Sequence, residues 1–248
     1  MSAVPFEGKH VIGLSFRTLT IFFAALFFLS IPACWAAATL YGVDRRTASN
    51  AFYLVFILVY SGILALPWLN LAGQQGMTRV QRLERMCIAW LGLEVAAACF
   101  WSGPWLVMPK TIVAAKGQMW AYGWWAYMDG GDARYTVTDA GLLAMEKMGI
   151  VVAVVCAVIL LRRFTTGKFT DNQLWTLMFF QAAEFGVICV YFISGLYLDL
   201  SALGGPSEII IKYIGSNVFW LLMPPVVFWW SGQRFIERQL SERLASRS

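Results

Sequence analysis

Six separate runs of apolar residues, each near the ~20 residues a helix needs to cross a bilayer, limit what this chain can become. They cover roughly 18–41, 51–73, 86–107, 141–161, 173–199 and 209–231. In hydrocarbon no water is available to backbone N–H and C=O groups, so runs of this length must close their hydrogen bonds internally, as helices. Composition agrees: 59% of residues are hydrophobic, 13% are charged and the mean hydropathy is +0.64. Soluble domains are about half apolar and a quarter charged. The expected fold class is an all-α membrane protein with six transmembrane helices. No polar stretch among the 248 residues is long enough for a second domain.

Charge distribution gives an independent check on that count. If the segments alternate, Lys9, Arg17, Arg79, Arg82, Arg85, Arg162, Arg163, Lys168, Arg234, Arg238, Arg243 and Arg247 share one side. Arg45, Arg46, Lys110, Lys116, Arg134 and Lys212 take the other, half as many. The excess predicts both termini in the cytoplasm, with the chain in the endoplasmic reticulum of a eukaryote or the inner membrane of a bacterium. It also explains the net charge of +5 without nucleic acid as a partner, since the cations lie in short groups between apolar runs. The first run, "RTLTIFFAALFFLSIPACWAAA", has the basic start and small-residue end of a secretory signal, but a retained helix is the expectation. The fifth is longer than a span requires, which predicts tilt or projection past the membrane.

No repeat is evident. The one long connection, 108–140, is rich in glycine and aromatics, and its length suggests a lid or part of a site. Trp120, Trp124 and Trp125 would equally serve as interface anchors.

The chemical inventory is narrow. The single histidine, His10, precedes the first helix, so a histidine-box di-iron centre and a histidine-ligated intramembrane haem are excluded. Cysteines 34, 87, 99, 156 and 189 lack C-x-x-C spacing and read as reduced packing residues. There is no glycine-rich phosphate motif and no G-x-S-x-G elbow. No metal or cofactor is expected. Carboxylates, amides, hydroxyls and indoles remain.

Three carboxylates interrupt apolar helices: Glu94 in "AWLGLEVAAACFW", Glu146 in "GLLAMEKMGIVV" and Glu184 in "FFQAAEFGVICVYF". Such groups are costly in a bilayer and point to function by default; the bland alternative is a packing acid hydrogen-bonded across helices. Lys147, about 100° around the helix from Glu146, is expected to face away from it. Tyr191, seven residues after Glu184, shares that glutamate's face. In "SNVFWLLMPPVVFWW", Asn217, Trp220 and Pro224 fall at i, i+3 and i+7, on one face, as a pocket wall would require.

Over about residues 50–235 the chain resembles the emopamil-binding protein family, which includes the sterol Δ8–Δ7 isomerases and, in the wider EXPERA group, the sigma-2 receptor. "GDARYTVTDAGLLAME" is similar to the family's G-D-x-R-Y-x-x-x-D-x(6)-E, and "NVFWLLMP" to its N-x-x-W-x-x-x-P. "WWAYMDG" looks like its W-x-x-Y turn, with one extra residue before the aspartate. The resemblance implies a five-helix core, an added N-terminal helix within 1–49, and a cytoplasmic tail from 236 to 248. It also implies acid–base chemistry through a carbocation, with Glu146 as the catalytic glutamate and Asn217 and Trp220 on the cation side. Asp132 and Tyr135 come with the first motif.

Departures are informative. Sterol isomerases carry H-x-x-x-E on the helix corresponding to 86–107; here Glu94 stands at or one turn before the histidine position. Gly149 replaces the usual hydroxyl residue, and Glu184 falls where glutamine is usual. The expectation is an intramembrane isomerase or cyclase acting on a sterol or terpenoid, binding amphiphilic amines that mimic the cation. The alternatives are a non-catalytic lipid-binding or chaperone protein like the sigma-2 receptor and, more weakly, a proton-coupled transporter. A homodimer is left open. The expected cavity is built by the last four helices, with 18–41 packed outside it.

Overall fold

The structure, a computed structural model, describes residues 12–137, 139–195 and 205–246. Lys9, His10, Thr138, the last residues of the predicted fifth run and Arg247 lie outside the described residues. Among the described residues, six helices are long and apolar enough to cross a membrane: Phe16–Thr39, Arg45–Trp68, Arg79–Val107, Ala140–Thr166, Asp171–Gly195 and Pro206–Ala245. The chain is an all-α, multi-pass membrane protein.

The first three long helices begin where a side chain can satisfy the free N–H groups of a first turn. Ser15 caps α1 (Phe16–Thr39), and Asp44 caps α2 (Arg45–Ala65). Thr78 and Gln81 form a reciprocal capping box at α3 (Arg79–Ala97). Ahead of α1, a short strand β1 (Ile12–Ser15) runs parallel to β2 (Leu71–Ala72) in the α2–α3 connection.

The connection 108–140 is not a loose lid. After α4 (Gly103–Val107), which closes the third span, it folds into the short helices α5 (Pro109–Ala114), α6 (Tyr122–Met128) and α7 (Arg134–Val137). Trp125 is buried there and donates its indole N–H to Ile112 O at 2.8 Å, so it is a core residue and not an interface anchor. The two glycines after Asp129 reverse the chain tightly. Gly130 has φ 100°, and a Cβ on Gly131 would lie 2.4 Å from Tyr127 O.

Asp139 then caps α8 (Ala140–Thr166) through Leu142 N at 2.8 Å, and Gly167 ends it in the left-handed conformation. Helix α9 (Asp171–Gly195) packs along α11 (Val218–Ala245), while α1 lies on α2 and α3 on α8. Between α9 and α11 come a single turn, α10 (Pro206–Glu208), and a π-helical segment, Ile209–Gly215. Helix α11 continues to Ala245, so the predicted tail is helical through most of its length.

Two cations counted as topology markers have other duties. Lys212 is fully buried, its Nζ donating to Ser49 Oγ at 2.6 Å and Asp129 O at 2.7 Å. The π segment turns it inward, where it ties α2 to the Asp129 turn. Arg82, also fully buried, donates to the Pro67, Leu69 and Gln74 carbonyls and so organises the α2–α3 connection. By contrast Arg163 and Arg234 both reach Glu84, so the start of α3, the end of α8 and the middle of α11 meet at one end of the bundle.

Candidate functional site

A cavity of about 440 Å³ occupies the bundle interior, within the range of about 300–1,000 Å³ typical of small-molecule sites. Glu94, Glu146, Glu184, Tyr135, Tyr191, Asn217 and Trp220 all line it. Asp132 and Pro224 do not.

The wall is wider than expected. Besides α3, α8, α9 and α11, it includes Phe27, Phe28 and Ile31 of α1 and Phe52, Phe56 and Tyr60 of α2. The N-terminal helix is therefore part of the site and not an outside addition. The reason is aromatic packing: the Phe27 ring lies 5.9 Å from Phe52 and 6.1 Å from Phe56. Trp35 also donates to Gly117 O at 2.7 Å, which holds α1 against the connection that follows α5.

A break in α3 shapes the next wall. Residues Ala98–Ser102 form a π-helical turn, with Gly103 N–H reaching back five residues to Ala98 O. Pro104 follows, and it has no N–H with which to continue an α ladder. A Cβ at Gly103 would lie 2.7 Å from Ala98 O, so glycine permits the close approach. Such single-turn π segments recur at functional sites. This one brings Trp101 and Ser102 into the wall of the cavity that Glu94, about two turns earlier on α3, also lines.

The three carboxylates have different surroundings. Glu94 accepts on both oxygens: Gln181 Nε2 approaches Oε1 at 3.1 Å and Oε2 at 3.0 Å, and Cys156 Sγ lies 3.0 Å from Oε2. Trp90 in turn donates to Gln181 Oε1 at 3.3 Å, so the amide is held in one orientation. Cys156, expected only to pack, is thus a hydrogen-bond donor to a buried acid. Glu146 accepts from the Tyr135 hydroxyl, and Ser102 lines the cavity with it. Glu184 is 6% exposed, yet its Oε2 has no hydrogen-bond partner. Lys147 is exposed, facing away as its position on α8 requires.

Above Glu146 sits a layer of tyrosines. Tyr127 and Tyr191 share a hydroxyl–hydroxyl hydrogen bond of 2.5 Å, and Asn217 Nδ2 donates to the Tyr127 oxygen at 2.9 Å. Tyr135 meets Tyr127 edge to face at 5.5 Å. Burial pushes the Tyr127 and Tyr135 phenols well above their ordinary range, so both remain proton donors at neutral pH. Asp132, fully buried, lies behind this layer in a 2.6 Å ion pair with Arg134. That guanidinium also donates to Ser194 Oγ at 2.8 Å and sits 4.9 Å from the Tyr191 ring centre. Asp132 therefore braces the layer and makes no cavity surface.

Trp220 forms the other pole. Its ring stacks with Phe56 at 6.5 Å, tilts on Tyr60 at 5.5 Å and meets Trp90 edge-on at 5.4 Å. Phe56 and Tyr60 were missed in sequence, although their i, i+4 spacing places both rings on one face of α2. Ser102 left no such signal.

Among the described residues no group of three His, Cys, Asp or Glu side chains converges as a metal site would require. No family model, no curated protein and no solved structure matches the chain.

Proposed function

We infer that this protein is an intramembrane isomerase or cyclase that protonates a sterol or terpenoid and guides the resulting carbocation. On that reading residues 50–235 form an emopamil-binding-like domain, and both termini are cytoplasmic. The observation carrying it is the convergence of three carboxylates and a cluster of aromatic faces on one apolar cavity.

In the proposed reaction an acid proton is added to one carbon of a C=C bond, leaving a tertiary cation and a carboxylate. A second carboxylate removes a proton from a neighbouring carbon, which shifts the double bond and leaves atoms and charge balanced. In a cyclase, attack of another C=C bond on the cation comes first. Glu184 is assigned the proton donor, because its buried Oε2 has no protein partner and is left for the substrate. Glu146, oriented by Tyr135, is assigned the base and counter-charge. The Trp220, Phe56 and Tyr60 rings face the cation, an interaction worth up to ~2 kcal/mol or more when desolvated. Glu94, already engaged by Gln181 and Cys156, is a positioning group.

Turnover in deuterated water tests this directly. A Δ8-sterol series, then linear and bicyclic terpenoids, should yield a product with deuterium on carbon. Glu146→Gln and Glu184→Gln should retain ligand and lose ~10²–10⁴-fold in turnover, the usual contribution of a general acid or base. Wild-type turnover by either variant would remove that residue from the chemistry. Tight binding of every candidate with no deuterium incorporated would instead indicate a lipid-binding or chaperone protein.

A further inference from the structure

A second cavity, of about 170 Å³, opens at the end of the bundle where the basic connections meet. It lies between the start of α3, the end of α8, the start of α9 and the middle of α11. Four cations line it, Arg163, Lys168, Arg234 and Arg238, against one carboxylate, Glu84. Glu84 is divided between Arg163 at 3.4 Å and Arg234 at 3.5 Å, while Arg238 pairs with Asp171 at 3.2 Å and Arg234 with Glu237 at 3.2 Å. Lys168 has no carboxylate partner among the described residues. Even with these neighbouring acids counted, positive charge remains in excess.

Two donors on residues that line this cavity are buried without an acceptor. Trp230 lines it, is 1% exposed, and its indole N–H has no partner; nor does Arg163 Nε. A buried unmade donor carries a substantial desolvation cost, and two of them beside a cationic excess call for an anion with several acceptor oxygens. The surrounding surface bears on the source of that anion. Leu161, Phe164, Trp175 and Ile236 are exposed large apolar side chains on the same helix ends, a surface suited to acyl chains. Basic pockets between helices on this side of a membrane are suited to anionic head groups.

We propose that this cavity binds a phosphate-bearing anion, supplied by the head group of an anionic phospholipid, through Trp230 Nε1, Arg163 and Lys168. The site is separate from the apolar cavity and does not depend on its function.

The full chain, reconstituted in phosphatidylcholine nanodiscs with graded phosphatidylglycerol, provides the test, with retained lipid read by native mass spectrometry. Phosphatidylglycerol should be retained selectively. Trp230→Phe, which removes the indole N–H along with part of the ring, and Lys168→Gln should each weaken retention about tenfold, as loss of one hydrogen bond to a charged group implies. Arg243→Gln, which removes the same charge from the helix end outside the cavity, should change nothing. Lys168 is exposed, so its variant keeps the test valid if Trp230→Phe fails to fold. Wild-type retention by Lys168→Gln overturns the proposal, as does an equal loss in Arg243→Gln, which would reduce the effect to general surface charge. Displacement of the lipid by millimolar inorganic phosphate would overturn the lipid source in favour of a soluble phosphate.

Discussion

At the residue scale, the difference between Glu94 and Glu184 sets their roles. Both are nearly fully buried in the same cavity, but one is surrounded by donors and the other has a bare oxygen. A carboxyl whose lone pairs are already used holds neighbours in place; one with an unused oxygen is available to a ligand. Trp220 raises the parallel question of whether its ring is a wall or a cation-stabilising face. The two roles separate by ligand charge. A protonated amine on an apolar body mimics the carbocation and gains from the ring face as well as from burial, whereas a neutral sterol gains from burial alone. Trp220→Ala should therefore weaken an amphiphilic tertiary amine by roughly tenfold or more beyond its effect on a neutral sterol, consistent with a cation–π contribution near ~2 kcal/mol. Competition binding with both ligand types measures this. Equal losses would make Trp220 packing only.

At the element scale, α8 carries Glu146 two turns into the membrane, and its start is defined by one side chain, Asp139. Asp139→Ala removes the acceptor for Leu142 N and should cost about 1 kcal/mol, as N-cap losses typically do, while Asp139→Ser should restore most of it. Thermal unfolding in detergent checks this, and identical melting of the wild type and Asp139→Ala would show that tertiary packing alone sets the start of α8. The six spans were legible because bilayer thickness and backbone satisfaction leave a chain few choices, and among the described residues their observed limits shift by up to seven residues outside the C-terminal helix. The cavity acids were legible for the same reason: a carboxylate in hydrocarbon is conspicuous. What surrounds them was not. Cys156 and Gln181 reach Glu94 across 62 and 87 residues of sequence, a meeting set by how α3, α8 and α9 pack. Asp132 and Lys212 misled in opposite directions. The aspartate of a site-like motif turned behind the tyrosine layer, and a lysine resembling a flanking charge was drawn inside by a π segment that nothing in its composition announced.

At the scale of the whole molecule, the part played by α1 bears on how an apolar ligand arrives. Phe28 and Phe100 both line the cavity, yet they are 48% and 57% exposed on the outer face of the bundle. Their rings meet edge to face at 5.3 Å, between α1 and the π turn of α3. The cavity therefore reaches the outer surface there, with these two aromatic side chains at its edge. Exposed rotamers exchange in picoseconds to nanoseconds, far faster than helices move, so these rings can part without disturbing the bundle. Neither ring is among the groups that hydrogen-bond the carboxylates, so truncating them should change passage more than chemistry. The double variant Phe28→Ala with Phe100→Ala should raise association and dissociation rates of a fluorescent amphiphilic amine together, by roughly three- to tenfold, and leave Kd within about threefold, because widening a passage lowers one barrier crossed in both directions. Stopped-flow mixing with ligand-loaded vesicles provides both rates. If dissociation alone accelerates and affinity falls in proportion, the two rings are part of the binding surface, and the ligand reaches the cavity by another route.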